Sequence, residues 1–347
     1  MKAIYHLTDT SVPKKMGILL ITAVLIAGLA GCGPTNGITN GTGPVTHPFA
    51  GGSGTTADPY QITNWTQLDA VRSYSDKHFI LMNDLDSTTA GYATLASPSA
   101  NGGKGWQPIG TAVVDVEKSE QVAEGLSDEW EEAFELVDPF TGQFDGQEFE
   151  ISDLFINRPL DVDSELGEEG TVEGGVGLFG AVAAGVIKNV GVINADVFGG
   201  VGVGALVGAN AGFISDCHST GSVYGILGVG GLAGASMGSI SNSHSTAATG
   251  AEVGAGGLVG GNTGTISYCH ASGSVTGDMG IGGLIGGNYG GAVNECHATG
   301  TVTGYDGIGG LVGGNYEGTV SSSYAAGVVT GTGWYTGGLV GGNFGGA

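Results

Sequence analysis

The chain has 347 residues, enough for one large domain or two ordinary ones, and 72 of them are glycine. Nine Lys+Arg stand against 33 Asp+Glu, a formal net charge of −24, which argues against a nucleic-acid partner because phosphate binding needs a basic surface. Nine prolines without a Gly-X-Y period exclude collagen, and a 41% hydrophobic content at regular spacing does not fit generic disorder.

Residues 1–31 read as a signal peptide. Lys2, Lys14 and Lys15 supply a positive start, and 17–30 is an uncharged, mostly apolar run, too short for an ordinary transmembrane helix. It ends in Leu29-Ala30-Gly31-Cys32, which resembles a bacterial lipobox. In that motif the cysteine, here Cys32, becomes the lipid-modified first residue of the mature protein. The alternative is a chance cysteine in a plain secretory signal. In diderm bacteria an Asp at position 33 would imply retention at the inner membrane, so Gly33 leans towards the outer membrane or cell surface. Cleavage removes three lysines and Asp9, leaving 6 basic against 32 acidic residues, a net −26. The expected membrane contact is therefore through lipid and not through charge.

Residues 32–53, rich in Gly, Thr, Asn and Pro, read as the lipid anchor and a flexible tether. From 54 to 173 the pattern predicts N-terminal β-helix coils. Asn64 is the expected N-cap of a short helix reaching about Tyr74, and His78-Phe-Ile-Leu-Met82 reads as a strand. Twenty of the 33 acids fall between Val113 and Glu173, a stretch that contains two acidic insertions at 113–139 and 158–173. Within 119–137, Val122, Leu126, Trp130 and Phe134 recur four apart, which predicts an amphipathic helix with a solvated acidic face. That helix is expected to project from the rod or to cap its N-terminal end. The stretch 160–173 lacks periodicity and reads as a loop, whereas 140–146 and the apolar Ile151, Leu154 and Ile156 read as strands.

From 174 to 347 the chain is a tandem repeat. Its anchor is Gly-Leu-Val-Gly, with leucines at Leu178, Leu206, Leu232, Leu258, Leu284, Leu311 and Leu339, at near-constant spacing. A column of Ile187, Ile214, Ile240, Ile266, Val293 and Val320 follows at a fixed offset. Glycine at a quarter of the positions costs about 1 kcal/mol each inside a helix, which excludes helical repeats. The spacing predicts an all-β, right-handed parallel β-helix (a β-solenoid), one coil per repeat, with the leucines as its core. Gly257-Leu-Val-Gly-Gly-Asn262 and its copies ending at Asn288, Asn315 and Asn343 resemble the GLUG motif. That repeat occurs in bacterial surface proteins and beside the protease unit of immunoglobulin A peptidases. Gly105-Trp106-Gln-Pro108-Ile109-Gly110, 140–146 and 177–180 also resemble the segment that precedes such repeats. The resemblance implies a parallel β-helix and a cell-surface role, but no defined activity.

His218, His244, His270 and His297 share one slot in four consecutive coils, with Tyr324 in the next. The small residues flanking them point inward, so the imidazoles are expected outside as a ladder. Neighbours could share Zn2+ or Cu2+; the alternative is a solvated or stacked column without metal. Cys217, Cys269 and Cys296 form an inward column, read as buried free thiols. Asp84, Asp86, Asp145 and Asp153 are the remaining candidates, as Ca2+ ligands or paired carboxylates; no acidic position is read as recurring from coil to coil. Gly234-Ala-Ser236-Met-Gly238 matches a nucleophile pattern but lies inside a repeat, and no His-Glu-x-x-His occurs.

These features point to a non-enzymatic surface lipoprotein whose partners are a glycan or a surface protein and which requires no cofactor. The competing readings are a secreted carbohydrate-active β-helix enzyme, hydrolase or lyase, and the anchored part of a larger surface protein. The last residues, 341–347, fall midway through a repeat, which would leave strand edges open to end-to-end self-association.

Overall fold

The computed structural model describes residues 47–115, 134–160 and 171–347. The signal segment, Cys32 and most of the tether lie outside the described residues, as does Trp130. The described chain is a parallel β-solenoid. A 14-stranded and a 15-stranded sheet form its walls, and successive coils pair in parallel along both. A repeat such as 257–282 contributes four short strands: Val259–Asn262, Thr265–Ser267, His270–Ala271 and Val275–Gly282.

Alternation along these strands drives the stacking. Ile187, Ile214, Ile240, Ile266, Val293 and Val320 pair in register, and all but the half-buried Val320 are buried. Leu178, Leu206, Leu232, Leu258, Leu284 and Leu311 are fully buried, and the amide of each leucine from Leu206 to Leu311 donates to the carbonyl of the next. Leu339 departs from this column at 39% exposure, because it has a leucine neighbour on one side only.

Between the Ile strand and the His strand the chain turns through a left-handed residue in every coil: Asp216, Asn242, Tyr268, Glu295 and Ser322, at φ 49–56°. The residue after each turn ties the corner. The Cys217 thiol donates to Ser215 O, Ser243 Oγ to Ser241 O, the Cys269 thiol to Ser267 O and the Cys296 thiol to Asn294 O. Local hydrogen bonds of this kind offset the strain of positive φ at non-glycine residues.

The N-terminal coils are filled by rings: Trp65, Trp106, Phe79, Phe140, Phe144 and Phe179 are fully buried. Both indole N–H groups find carbonyls, Trp65 at Asp86 O (2.9 Å) and Trp106 at Leu178 O (3.0 Å). The helix Trp65–Ala70 starts where Asn64 accepts from the Gln67 amide, and a 3-10 turn, Val71–Tyr74, extends it. Arg72 joins this helix to the 105–110 segment, donating to Gln107 O and Pro108 O.

Three expectations are corrected. Phe134–Val137 is a strand and not the end of a helix, and it pairs antiparallel with Thr111–Asp115. On the other side of Thr111–Asp115 lies Thr171–Gly174, a strand in the stretch that reads as a loop. The bases of the two acidic insertions thus meet in one three-stranded sheet, because long-range pairing outweighs the local four-residue pattern. Finally, order begins before residue 54: Phe49 is buried and stacks on Tyr60 at 4.4 Å, since the N-terminal coil offers an aromatic surface to cover.

Candidate recognition columns

Parallel stacking in register converts each repeat position into a column. His218, His244, His270 and His297 stack face to face, with ring centroids 5.2, 4.7 and 4.9 Å apart and planes within 7°. Tyr324 continues the stack at 4.9 Å from His297. The imidazole lone pairs lie in the ring planes, so parallel rings do not aim two nitrogens at one shared ion. Among the described residues no group of three or more His, Cys, Asp or Glu side chains converges as a metal site.

The stack makes protonation costly. His244 is held below its ordinary value by burial, then by the charges of His270 and His218; His270 is lowered by burial and by His297. The facing groups are Glu150, 3.7 Å from His218, and Tyr324 on His297. A base whose folded pKa is depressed gives stability that is complete above its unfolded value of 6.5 and is lost as pH falls below it. Asp86, Asp145 and Asp153 are held below the usual 3.8, so their contribution is lost only in more acid solution. Thermal melts from about pH 7.5 down to about pH 5 should therefore show falling stability, with a flatter slope in the His244→Asn, His270→Asn double variant. Equal slopes in the two proteins would refute the column as the source.

The thiols line the interior. Cys217, Cys269 and Cys296 are buried and free. Burial pushes the Cys217 thiol up to about 12, and the neighbouring Cys296 thiol, together with burial, pushes Cys269 up as well. Neither of these two is poised as a thiolate nucleophile.

The four aspartates are separated by their tasks. Asp84 accepts from the Glu150 amide, and Asp86 caps the turn at Thr88 and Thr89. Asp145 pairs with Lys188 at 3.1 Å and accepts from Asn189, while Asp153 accepts from Asn194. Ser236 is fully buried, and its hydroxyl accepts from the Asn210 side chain at 3.1 Å.

That contact belongs to a column whose role the sequence reading missed. Asn262, Asn288 and Asn315 are buried, and each side-chain N–H donates to the amide oxygen one coil on: Asn288, Asn315 and Asn343, at 2.8–2.9 Å. The same nitrogens donate to Gly264 O, Gly291 O and Gly318 O. The final Asn of each Gly-Leu-Val-Gly-Gly-Asn copy is therefore an internal tie between coils. Next to it, Tyr289, Tyr316 and Phe344 stack at 4.9–5.1 Å, each folded back over the glycine two positions earlier.

Residues 251–276 and 277–303 match the GLUG motif. These repeats supply the buried Leu258 and Leu284, the Asn262–Asn288 tie and the His270–His297 step. Among curated proteins, the chain is 35% identical over 214 residues to a protein named as a Gly-rich membrane protein of Evansella cellulosilytica. It is 32% identical over 176 residues to Halomucin of Haloquadratum walsbyi. These alignments cover 47% and 50% of this chain, but only 21% and 2% of the relatives' own lengths. Among solved structures, one named as an immunoglobulin A1 protease of Bacteroides ovatus superposes with a TM-score of 0.56 at 23% identity, covering 82% of this chain and 80% of that one. That likeness is one of fold.

Proposed function

We propose that the chain is a non-enzymatic, lipid-anchored β-solenoid of the cell surface that makes contacts with glycan or matrix. The observation carrying this reading is the set of outward columns. A rigid stack repeats one side chain at each coil over many coils, as in His218 to Tyr324, which suits contact with an extended partner. The names of the relatives, a membrane protein and Halomucin, support a surface setting. The buried Ser236 and the separately engaged aspartates support a binding role over a catalytic one.

The direct test displays the full chain on bacterial cells and applies them to an array of glycans and matrix proteins, against cells lacking it. Binding to one class of ligand is expected; equal signals from both cell types would defeat the proposal. The anchor has its own test. Cys32→Ser should move the protein from the membrane to the soluble fraction, because each buried CH2 of an acyl chain contributes about 0.8 kcal/mol to membrane affinity. Unchanged fractionation, with no acyl mass on the wild-type protein, would remove the lipid from the reading.

A further inference from the structure

On the outer side of the second wall one column reads Phe198, Tyr224, Gly250, Thr276 in register. Phe198 and Tyr224 are each 41% exposed. The glycine interrupts the column, and the Tyr224 ring fills the interruption. A Cβ built on Gly250 would lie 2.8 Å from two Tyr224 ring carbons, and Gly250 is buried although its position faces outward. Tyr224 therefore packs against the Gly250 backbone while remaining partly open to solvent. A glycine beneath an aromatic ring is a known cross-strand device; here it also leaves a flat apolar platform.

Two carboxylates lie in the next row. Glu252 and Asp278 fall between the register pairs Ala251–Gly277 and Val253–Met279, so they are neighbours on adjacent coils. This recurrence corrects the expectation that no acidic position repeats. Both are exposed, and both line the same shallow depression as Phe198, Tyr224, Gly250 and Thr276. The depression thus combines a partly exposed tyrosine ring, a threonine hydroxyl and two carboxylate acceptors, and among the described residues no cationic side chain lines it.

We propose that this ledge binds a neutral glycan, one pyranose stacking its C–H face on Tyr224 while its hydroxyls donate to Glu252 and Asp278. The proposal rests on the reading of the chain as a glycan-contacting surface rod, and names the ligand class and the place. A pyranose presents an apolar face and a hydroxyl rim together, which matches a platform edged by acceptors. Charge excludes the acidic sugars: a uronic or sialic acid would meet two carboxylates on a chain of net charge −24. A basic peptide would match the carboxylates and could set a cation on the ring, but it leaves the threonine hydroxyl without a partner, and oligolysine is therefore the competing arm of the test.

The test is calorimetric titration of the full chain in detergent with neutral hexose oligomers of glucose, mannose and galactose, with polygalacturonate and oligolysine as competing classes. One neutral oligomer should bind. Tyr224→Ala should weaken that binding about tenfold, roughly the loss of one stacked ring, and Tyr224→Phe should preserve it. Glu252→Gln with Asp278→Asn should weaken it too. Phe213→Ala, a 57% exposed ring on the other wall, should leave it unchanged. Absence of neutral-oligomer binding, stronger binding of oligolysine or polygalacturonate, or wild-type affinity in Tyr224→Ala would each overturn the assignment. If Tyr224→Ala cells still bind glycan on the array, the ledge fails while the surface reading stands; if wild-type cells bind nothing, that reading itself fails.

Discussion

Leu258→Asp should unfold several coils at once. Leu258 is fully buried between Leu232 and Leu284, and the three are tied by backbone hydrogen bonds of 2.9–3.0 Å. An aspartate there places an unpaired carboxylate inside an apolar column. Leaving a charge or an unpaired polar group in such a site costs several kcal/mol, a large share of the roughly 5–15 kcal/mol that holds a domain folded. In a solenoid the loss spreads, because each coil is stabilised mainly by its two neighbours. The melting temperature read by circular dichroism should fall by about 10 °C or more. Leu339→Asp is the control: at 39% exposure the same change leaves the carboxylate hydrated and should move the melt far less. Equal effects at the two sites would show that the leucine column is not the core of the stack.

Asn288→Asp should be nearly as damaging, although it changes one atom. The Asn288 side-chain nitrogen donates to Asn315 Oδ1 at 2.8 Å and to Gly291 O at 3.0 Å, while its oxygen accepts from Asn262. An aspartate oxygen in place of that nitrogen faces two acceptors with no proton to offer. Each unsatisfied buried group costs about 1–3 kcal/mol, so a loss of about 3 kcal/mol or more is expected in a denaturant titration. Asn288→Ser should be milder, since Ser236 already fills the equivalent slot and accepts from Asn210. If Asn288→Asp stays within about 0.5 kcal/mol of wild type, the margin of an ordinary surface change, the amide column contributes no cohesion.

The two columns differ in how far the sequence discloses them, and the difference is physical. A leucine returning at the same point of every repeat can serve little but a shared core, so the period alone predicts the burial of Leu178 to Leu311. The histidines are legible for a similar reason: small residues on both sides leave them only the outer face. Asn262, Asn288 and Asn315 recur just as faithfully, yet an Asn after two glycines reads most simply as a turn residue. Only the geometry shows its amide turned inward. The ledge at Tyr224 is harder still, because its partner one coil on is an absence of side chain, Gly250. Its signal is an aromatic followed one period later by a glycine, then by a repeated acid at Glu252 and Asp278. The antiparallel sheet at 111–115, 134–137 and 171–174 is not legible, since a four-residue apolar pattern inside 119–137 points to helix and the pairing partners lie far apart in sequence.

The in-register stacking of the coils makes the length of this rod a free variable. Excising the segment 232–257 would set Leu206 against Leu258, Asn210 against Asn262, Ile214 against Ile266 and His218 against His270. Every one of these columns would close again with the same kind of residue, and duplicating the same segment would extend each by one member. Excising only half of that segment would misalign all of them and place polar residues against the core. Unequal exchange between tandem gene segments is therefore tolerated in whole-coil steps and punished at any other length. The length of the rod can change by duplication while the fold is conserved.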